Sequence, residues 1–363
     1  MIDRRLFSHF DWFTLAITAL LTCVGLATVY SATHVHLQGI YKREMYWIII
    51  GFAFLLAAVI VNYSLLERLG YVIWGSSILL LIAVFIIGKS SGGAKRWINL
   101  GVFYLQPSEL AKLALIFALA KYYSARPLPA KGLTLRDLAV PGLLLAAPFL
   151  LIAKQPDLGT AIILWMIFWS MALIVKIRLR TLIGMGLVMA AMIPIGWKML
   201  KPYQKARLTS FLDPAKDTLG TGYHVMQSKI AIGSGGLTGK GFTAGTQGKL
   251  MFLPEHHTDF IFSVYAEEWG LLGALILFTL FTFLIIRGHA AATDAKDRFG
   301  FLLAFGITSM FFWHAAINIG MVAGILPVVG VPLPFISYGG SFLITCMMAA
   351  GLIINVRMRR FMF

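Results

Sequence analysis

The chain has 363 residues, of which 59% are hydrophobic and 13% charged, with a mean hydropathy of +0.82 and a formal net charge of +16. Soluble domains carry about 25% charged residues, so a water-soluble globular class is excluded. The positive charge does not indicate nucleic acid, because the basic residues stand between apolar runs and form no stripe with interleaved aromatics.

Apolar runs near the length that crosses a hydrocarbon core recur along the sequence. They predict an all-α integral membrane protein, a single polytopic domain over 1–363 with ten transmembrane helices. In chain order the spans are Trp12–Tyr30, Tyr46–Val61, Leu69–Ile87, Ser108–Tyr123, Leu138–Ala153, Gly159–Val175, Leu182–Met199, Phe260–Ile286, Phe301–Ile325 and Phe335–Asn355. Arg4 and Arg5 precede the first run as in a signal peptide. The run is longer than the apolar region of such a peptide and more runs follow, so it reads as an uncleaved span. Cys23 and Cys346 fall inside apolar runs and read as small core residues.

Lys and Arg set the orientation. They gather at both termini and in the connections near Arg68, 121–136, 176–180 and 287–298, whereas the short loops of the other side hold Lys42, Arg43, Lys89, Lys95, Arg96 and Lys154. Both termini are therefore expected in the cytoplasm. A large loop, about 200–258, is expected on the periplasmic or outer face between the seventh and eighth spans. An active site on that face has no ATP, so its substrate must carry its own activation.

Acidic residues at or within the membrane are the functional candidates, since burying a charge there is costly. Leu253–Gly270 reads LPEHHTDFIFSVYAEEWG and carries Glu255, His256, His257 and Asp259 into a helix bearing Glu267 and Glu268. Asp259 stands where the first turn begins, and the dipole end favours its charged form. It suits a general base, and it equally suits an ordinary first-turn aspartate. Glu109 opens the fourth span in QPSELAK, with Lys112 at i+3 on the same face. The partner of Lys112 is either Glu109, the local choice, or Asp259 or Asp157, which would gather one cluster.

The connections carry further polar chemistry. Ser90–Tyr104 places Arg96 and Trp97 after a Gly-rich turn, either as an interfacial anchor or as part of a site. Tyr223–Ala231 reads as an amphipathic helix lying on the membrane surface. Gly233–Gly248, GSGGLTGKGFTAGTQG, holds Lys240 and could offer backbone N–H groups to phosphate oxygens. His256 and His257 are adjacent, and neighbouring ligands diverge on a helix, so no metal site is assigned. Leu326–Ser341 is rich in Pro and Gly. Irregular backbone at membrane depth persists only where protein buries it or it lines a cavity, so this turn, the Gly-rich loop and the head of the eighth span are expected to border one outward cavity.

GAKRWINLG at 93–101, QPSELAK at 106–112, QPDLGTA at 155–161, KPYQKARLTSFLDP at 201–214, GYHVMQSKIAIGSGGLTGKGF at 222–242, LPEHHTDFIFSVYAEEWG at 253–270 and PLPFISYGGS at 332–341 resemble, in this order, the motifs of the SEDS family (shape, elongation, division, sporulation). The resemblance covers essentially the whole chain. Residues 317–340 and 201–214 are similar to its rod-elongation branch.

The resemblance implies a peptidoglycan glycosyltransferase of cell-wall elongation that polymerises lipid II into β-1,4 glycan strands with inversion. Undecaprenyl pyrophosphate would be the leaving group and Asp259 the general base. It implies cations for the pyrophosphate among Lys112, Arg207, Lys229 and Lys240. Glu109, Arg96, Trp97, Asp157, Glu255, His257 and Ser337 are the expected binding or positioning residues. No cofactor is required, although a divalent cation such as Mg or Mn on the pyrophosphate is compatible with this chemistry. The expected partners are lipid II, membrane lipids and a class B penicillin-binding protein transpeptidase in the bacterial inner membrane. The alternatives are a lipid II flippase, which an outward cavity with intramembrane acids would also serve, and a non-catalytic scaffold of the elongation machinery.

Overall fold

The computed structural model describes residues 9–360 apart from 36, 38, 92–93, 100, 102–103, 128, 130, 200–204, 206–208, 212–219 and 247–256. The described chain is mostly helical: α1 (Trp12–Thr33), α2 (Ile40–Ile60), α3 (Tyr63–Ile87), α4 (Pro107–Ser124), α5 (Ala139–Lys154), α6 (Leu158–Ile174), α7 (Leu179–Met199), α8 (Thr221–Ser234), α9 (Ile261–Thr293), α10 (Arg298–Val322) and α11 (Gly340–Met358). The helices α1, α2, α3, α9, α10 and α11 are each long and apolar enough to cross a membrane, and α5 and α6 are shorter apolar helices. Every predicted span overlaps a helix, with ends that differ by several residues. The helix at Tyr223–Ala231 also forms, as α8, but its buried face packs on α9 and α10.

Three expectations change. Strands stand where a loop was expected: β1 (Lys89–Ser91), β2 (Ala94–Asn99) and β3 (Tyr104–Leu105) form a small antiparallel sheet. The eighth span is not one continuous helix, because α9 is interrupted at Gly270. Cys23 is exposed on α1 rather than buried in the core, while Cys346 is buried.

Helix α1 shows how polar side chains are accommodated in an apolar segment. Asp11 caps α1, its carboxylate accepting from the Thr14 amide at 3.2 Å and the Thr14 hydroxyl at 2.7 Å. Thr18, Thr22, Thr28 and Thr33 donate their hydroxyls to the carbonyl four residues earlier, so these four hydroxyls are satisfied within α1.

Helices α4, α9, α10 and α11 together make up most of the core. Gly351 lets α11 approach α2 closely, since a Cβ there would stand 2.5 Å from the Leu55 carbonyl oxygen. Asn355 then donates to the carbonyls of Ala58 and Val59 at 2.7 and 2.8 Å, and Arg359 to that of Ile60 at 2.7 Å. These side chains satisfy the last carbonyls of α2. Helix α4 begins with Pro107 at its first position, after the N-cap Gln106, and is buried on nearly all sides. Full enclosure by protein is what allows it to carry Glu109 and Lys112 at membrane depth.

Candidate active site

The turn at 257–260 leads into α9, and its backbone is fastened to the segment 328–338. Asn318 of α10 donates from Nδ2 to the Asp259 carbonyl at 2.9 Å and to the Val331 carbonyl at 2.7 Å. The Ser337 hydroxyl donates to the Thr258 carbonyl at 2.7 Å and accepts from the Leu333 amide at 2.8 Å. The Tyr338 amide donates to the His257 carbonyl at 3.0 Å. Both segments are irregular, and polar side chains must supply what a regular ladder would have supplied.

The half-buried Asp259 side chain faces Gly330, where an added Cβ would lie 3.1 Å from Oδ2. Gly330 has φ +72, a left-handed value that favours glycine. Residues 328–332 form a strap, and on its far side sits Gly159 of α6, where a Cβ would lie 2.6 Å from the Gly330 carbonyl oxygen. The strap is thus held between Asp259 and the head of α6.

A cavity of about 460 Å³ opens beside the turn, lined by His257, Thr258, Trp97, Trp47, Lys89, Tyr104, Tyr338, Gly339 and Gly340. Aromatic rings make most of its walls, which suits the apolar faces of a carbohydrate or lipid. Trp97 reaches it from β2. Its neighbour Arg96 donates to the carbonyls of Gln155 and Pro156, the former at 3.3 Å, and so ties the sheet to the turn before α6. Asp157 is the N-cap of α6, accepting from the Thr160 amide at 3.3 Å and hydroxyl at 3.0 Å, and from Gln106 Nε2 at 3.3 Å.

Lys112 has no exposed surface. Its ammonium lies 2.7 Å from Glu109 Oε2, 2.9 Å from His314 Nε2 and 5.0 Å from the centre of the Phe342 ring. An ammonium only donates, so Nε2 accepts and the ring proton sits on Nδ1, which donates to the Pro332 carbonyl at 3.2 Å. The local pairing at i+3 therefore forms, and His314 joins it.

Glu267 and Glu268 attach the Gly-rich loop to the break in α9. Glu267 accepts from Lys240 Nζ at 2.7 Å and from the Thr246 amide at 2.8 Å. Glu268 accepts from the Ser31 hydroxyl of α1. The Lys240 and Gly241 amides donate to the Glu267 and Glu268 carbonyls, each at 3.0 Å, and the Leu271 and Leu272 amides donate to Gly236 and Leu237. Those two loop amides are therefore engaged with protein, not offered to an anion. Lys229 is exposed on α8, its stem lying over Gly324 at the end of α10. Arg207 and Glu255 lie outside the described residues. Among the described residues no group of His, Cys, Asp or Glu is arranged to hold a metal ion.

A model of the FtsW/RodA/SpoVE family, described as cell cycle protein, matches residues 11–361. The chain belongs to this family. Peptidoglycan glycosyltransferase MrdB of Escherichia coli K12 is 42% identical to this SEDS chain over 354 residues, 97% of this chain and 94% of that protein. Peptidoglycan glycosyltransferase RodA of Treponema pallidum is 32% identical, over 97% of this chain and 98% of that protein.

Among solved structures, a chain reported under "Structural coordination of polymerization and crosslinking by a peptidoglycan synthase complex" superposes on the SEDS chain with TM-score 0.84. It is 30% identical, and the match covers 98% of this chain and 99% of that one. The rod shape determining protein RodA of Thermus thermophilus superposes with TM-score 0.73 at 28% identity, over 98% of both chains. The SEDS chain is thus a multi-pass membrane protein with a RodA-like fold.

Its residues His314 and Asn318 are neither acids nor neighbours of one in sequence, so the pattern of intramembrane acids does not point to them. They lie four apart in an apolar helix, and that signal was available.

Proposed function

We propose that the protein is a peptidoglycan glycosyltransferase that polymerises lipid II for cell elongation, with Asp259 as general base. The observation that carries the reading is the placement of Asp259. It is half-buried at the head of α9, its backbone is pinned by Asn318, and it follows directly on residues that line an aromatic cavity.

In the reaction the 4-hydroxyl of an incoming GlcNAc attacks C1 of a MurNAc. Asp259 takes the hydroxyl proton as the new C1–O bond forms. The bond from C1 to the α-linked pyrophosphate breaks, and its electron pair leaves with undecaprenyl pyrophosphate. Attack on the opposite face gives the β-1,4 linkage. Pyrophosphate leaves without an acid, so one carboxylate suffices, unlike the paired acids of glycosidases. Lys229 and Arg207 are the cations we assign to the developing charge, because Lys240 is paired with Glu267 and Lys112 is enclosed. We assign the sugars to the cavity bordered by Trp97 and His257. Ser337, Asp157, Arg96 and Glu109 position backbone or neighbouring side chains.

The topology that goes with this reading has ten spans, both termini in the cytoplasm, and 200–258 with the Asp259 turn on the outer face. A class B penicillin-binding protein is the partner that would cross-link the strands. Cysteine labelling at Thr243 and Thr293 tests the orientation: only the first should react from outside.

The decisive experiment reconstitutes the protein with its transpeptidase partner and labelled lipid II. Asp259→Asn should lower polymerisation by about 10²–10⁴-fold, the usual contribution of general-base help. Full activity in that variant would remove Asp259 from the chemistry. Lipid II crossing sealed liposomes without polymer would replace the polymerase with a flippase.

A further inference from the structure

Helix α10 presents two polar side chains one turn apart, His314 and Asn318, both buried. Asn318 holds the Asp259 carbonyl and the Val331 carbonyl together. His314 holds the next residue of that strap, through the Pro332 carbonyl at 3.2 Å, and joins it to the Lys112 ammonium at 2.9 Å. Lys112 in turn is paired with Glu109 at 2.7 Å. A continuous run of contacts thus leads from the ion pair in α4, through the imidazole, to the strap that Asp259 Oδ2 faces at Gly330.

Each link has one chemical solution. Lys112 can only donate, so the imidazole must be neutral with a lone pair on Nε2. The Pro332 carbonyl can only accept, so the remaining ring proton must point at it from Nδ1. A protonated imidazole would set two cations against each other in an enclosed site. Phe342 covers the ammonium with its ring centre 5.0 Å away, and Lys112 is fully buried.

We infer that His314 is a positioning residue: as a neutral bridge between Lys112 and the Pro332 carbonyl, it sets where the 328–332 strap lies and hence where the Asp259 carboxylate meets the sugar hydroxyl. The inference rests on the reading of Asp259 as the base. His314 touches neither substrate nor reacting atoms. Its effect falls on the turnover step rather than on substrate affinity, because a small displacement of a base alters the reacting geometry more than ground-state binding.

The test compares His314→Phe with His314→Gln in the reconstituted protein with its transpeptidase partner and labelled lipid II. Phenylalanine keeps an aromatic ring but removes both hydrogen bonds. Glutamine keeps one acceptor for Lys112 and one donor for Pro332. We expect His314→Phe to lower kcat by roughly tenfold or more with KM within about twofold, and His314→Gln to recover kcat to within about threefold of the wild type. Folded fraction is followed in parallel by size-exclusion chromatography in detergent and by thermal midpoint.

Wild-type kcat in His314→Phe overturns the inference. So does a loss matched by an equal loss of folded protein, or a His314→Gln variant as slow as His314→Phe. Asp259→Ala is run alongside. If Asp259→Ala polymerises normally, the reading of the base fails, whereas if only the His314 variants behave as wild type, the base stands and the bridge does not.

Discussion

Lys112 shows how a charge persists in this bundle. It is wholly enclosed, and its partners are Glu109 at 2.7 Å and His314 at 2.9 Å. Removing one partner of a buried pair leaves an uncompensated charge and costs roughly 3–5 kcal/mol, whereas replacing both by apolar groups of similar volume is often nearly neutral. Glu109→Ala should therefore lower the thermal midpoint more than Glu109→Leu combined with Lys112→Met, whose remaining cost is the His314 Nε2 lone pair left without its donor. Unfolding in detergent followed by intrinsic fluorescence measures both. Equal losses would show that the ammonium finds another acceptor. The pairing of Glu109 with Lys112 was legible in the sequence because i,i+3 spacing is local. The contribution of His314 was not, because it lies 202 positions away along the chain and only packing brings it in. Asp157 is one of the alternative partners the sequence offers Lys112, and in the structure its carboxylate caps α6, a role that Asp before a helix commonly takes.

At the scale of elements, length and apolarity were enough to place the helices, and the details that escaped depend on backbone geometry. The break in α9 is the clearest case. Gly270 adopts φ +62 and ψ −159, a conformation essentially reserved for glycine. A Cβ there would lie 2.4 Å from the Gly239 amide nitrogen, and one on Gly239 would lie 2.0 Å from the Glu268 carbonyl oxygen. The two glycines let the Gly-rich loop close against the interrupted helix and exchange hydrogen bonds with its freed backbone groups. In the sequence Gly270 is one glycine in a long apolar run, where it signals nothing unless the partner loop is known. The sheet over 89–105 escaped for a similar reason, since strands this short and polar lack the alternation that marks a strand.

Gly270→Ala should be costly on two counts. The backbone strain alone is about 1–3 kcal/mol, and the methyl group meets main-chain atoms that cannot rotate away. The loop must then detach, so a cysteine placed at Thr246 should become more reactive to a water-soluble maleimide in Gly270→Ala than in the parent. An unchanged labelling rate with an unchanged thermal midpoint would mean that the break is not held by these contacts.

Across the whole molecule, the end opposite the cavity is closed by an ionic clamp that joins the first helix to the last. Asp11 caps α1, lies 2.7 Å from Arg287 of α9, and lies 3.4 Å from Arg357 of α11. Asp294 extends the group to Arg360 at 2.9 Å. Burial works to raise the Asp11 carboxyl, but hydrogen bonds from the Thr14 hydroxyl, Arg287 and the Thr14 amide outweigh it and hold the group below its ordinary value of 3.8. A carboxyl depressed on folding contributes stability that is complete above the unfolded value and is lost as pH falls through the lower, folded one. The clamp should therefore be intact at neutral pH and at pH 5, and weaken only below about pH 4. Thermal midpoints measured in detergent from pH 7 down to about 3 test this. The wild type should hold level and then fall at the acid end, while Asp11→Asn should start lower and fall less steeply. Parallel curves for the two proteins would show that the acid-labile group lies elsewhere. Because the clamp and the Asp259 turn sit at opposite ends of α9 with the Gly270 break between them, Asp11→Asn should reduce stability without changing the kcat of the folded fraction. A parallel fall in kcat would mean that the break transmits strain along α9 instead of absorbing it.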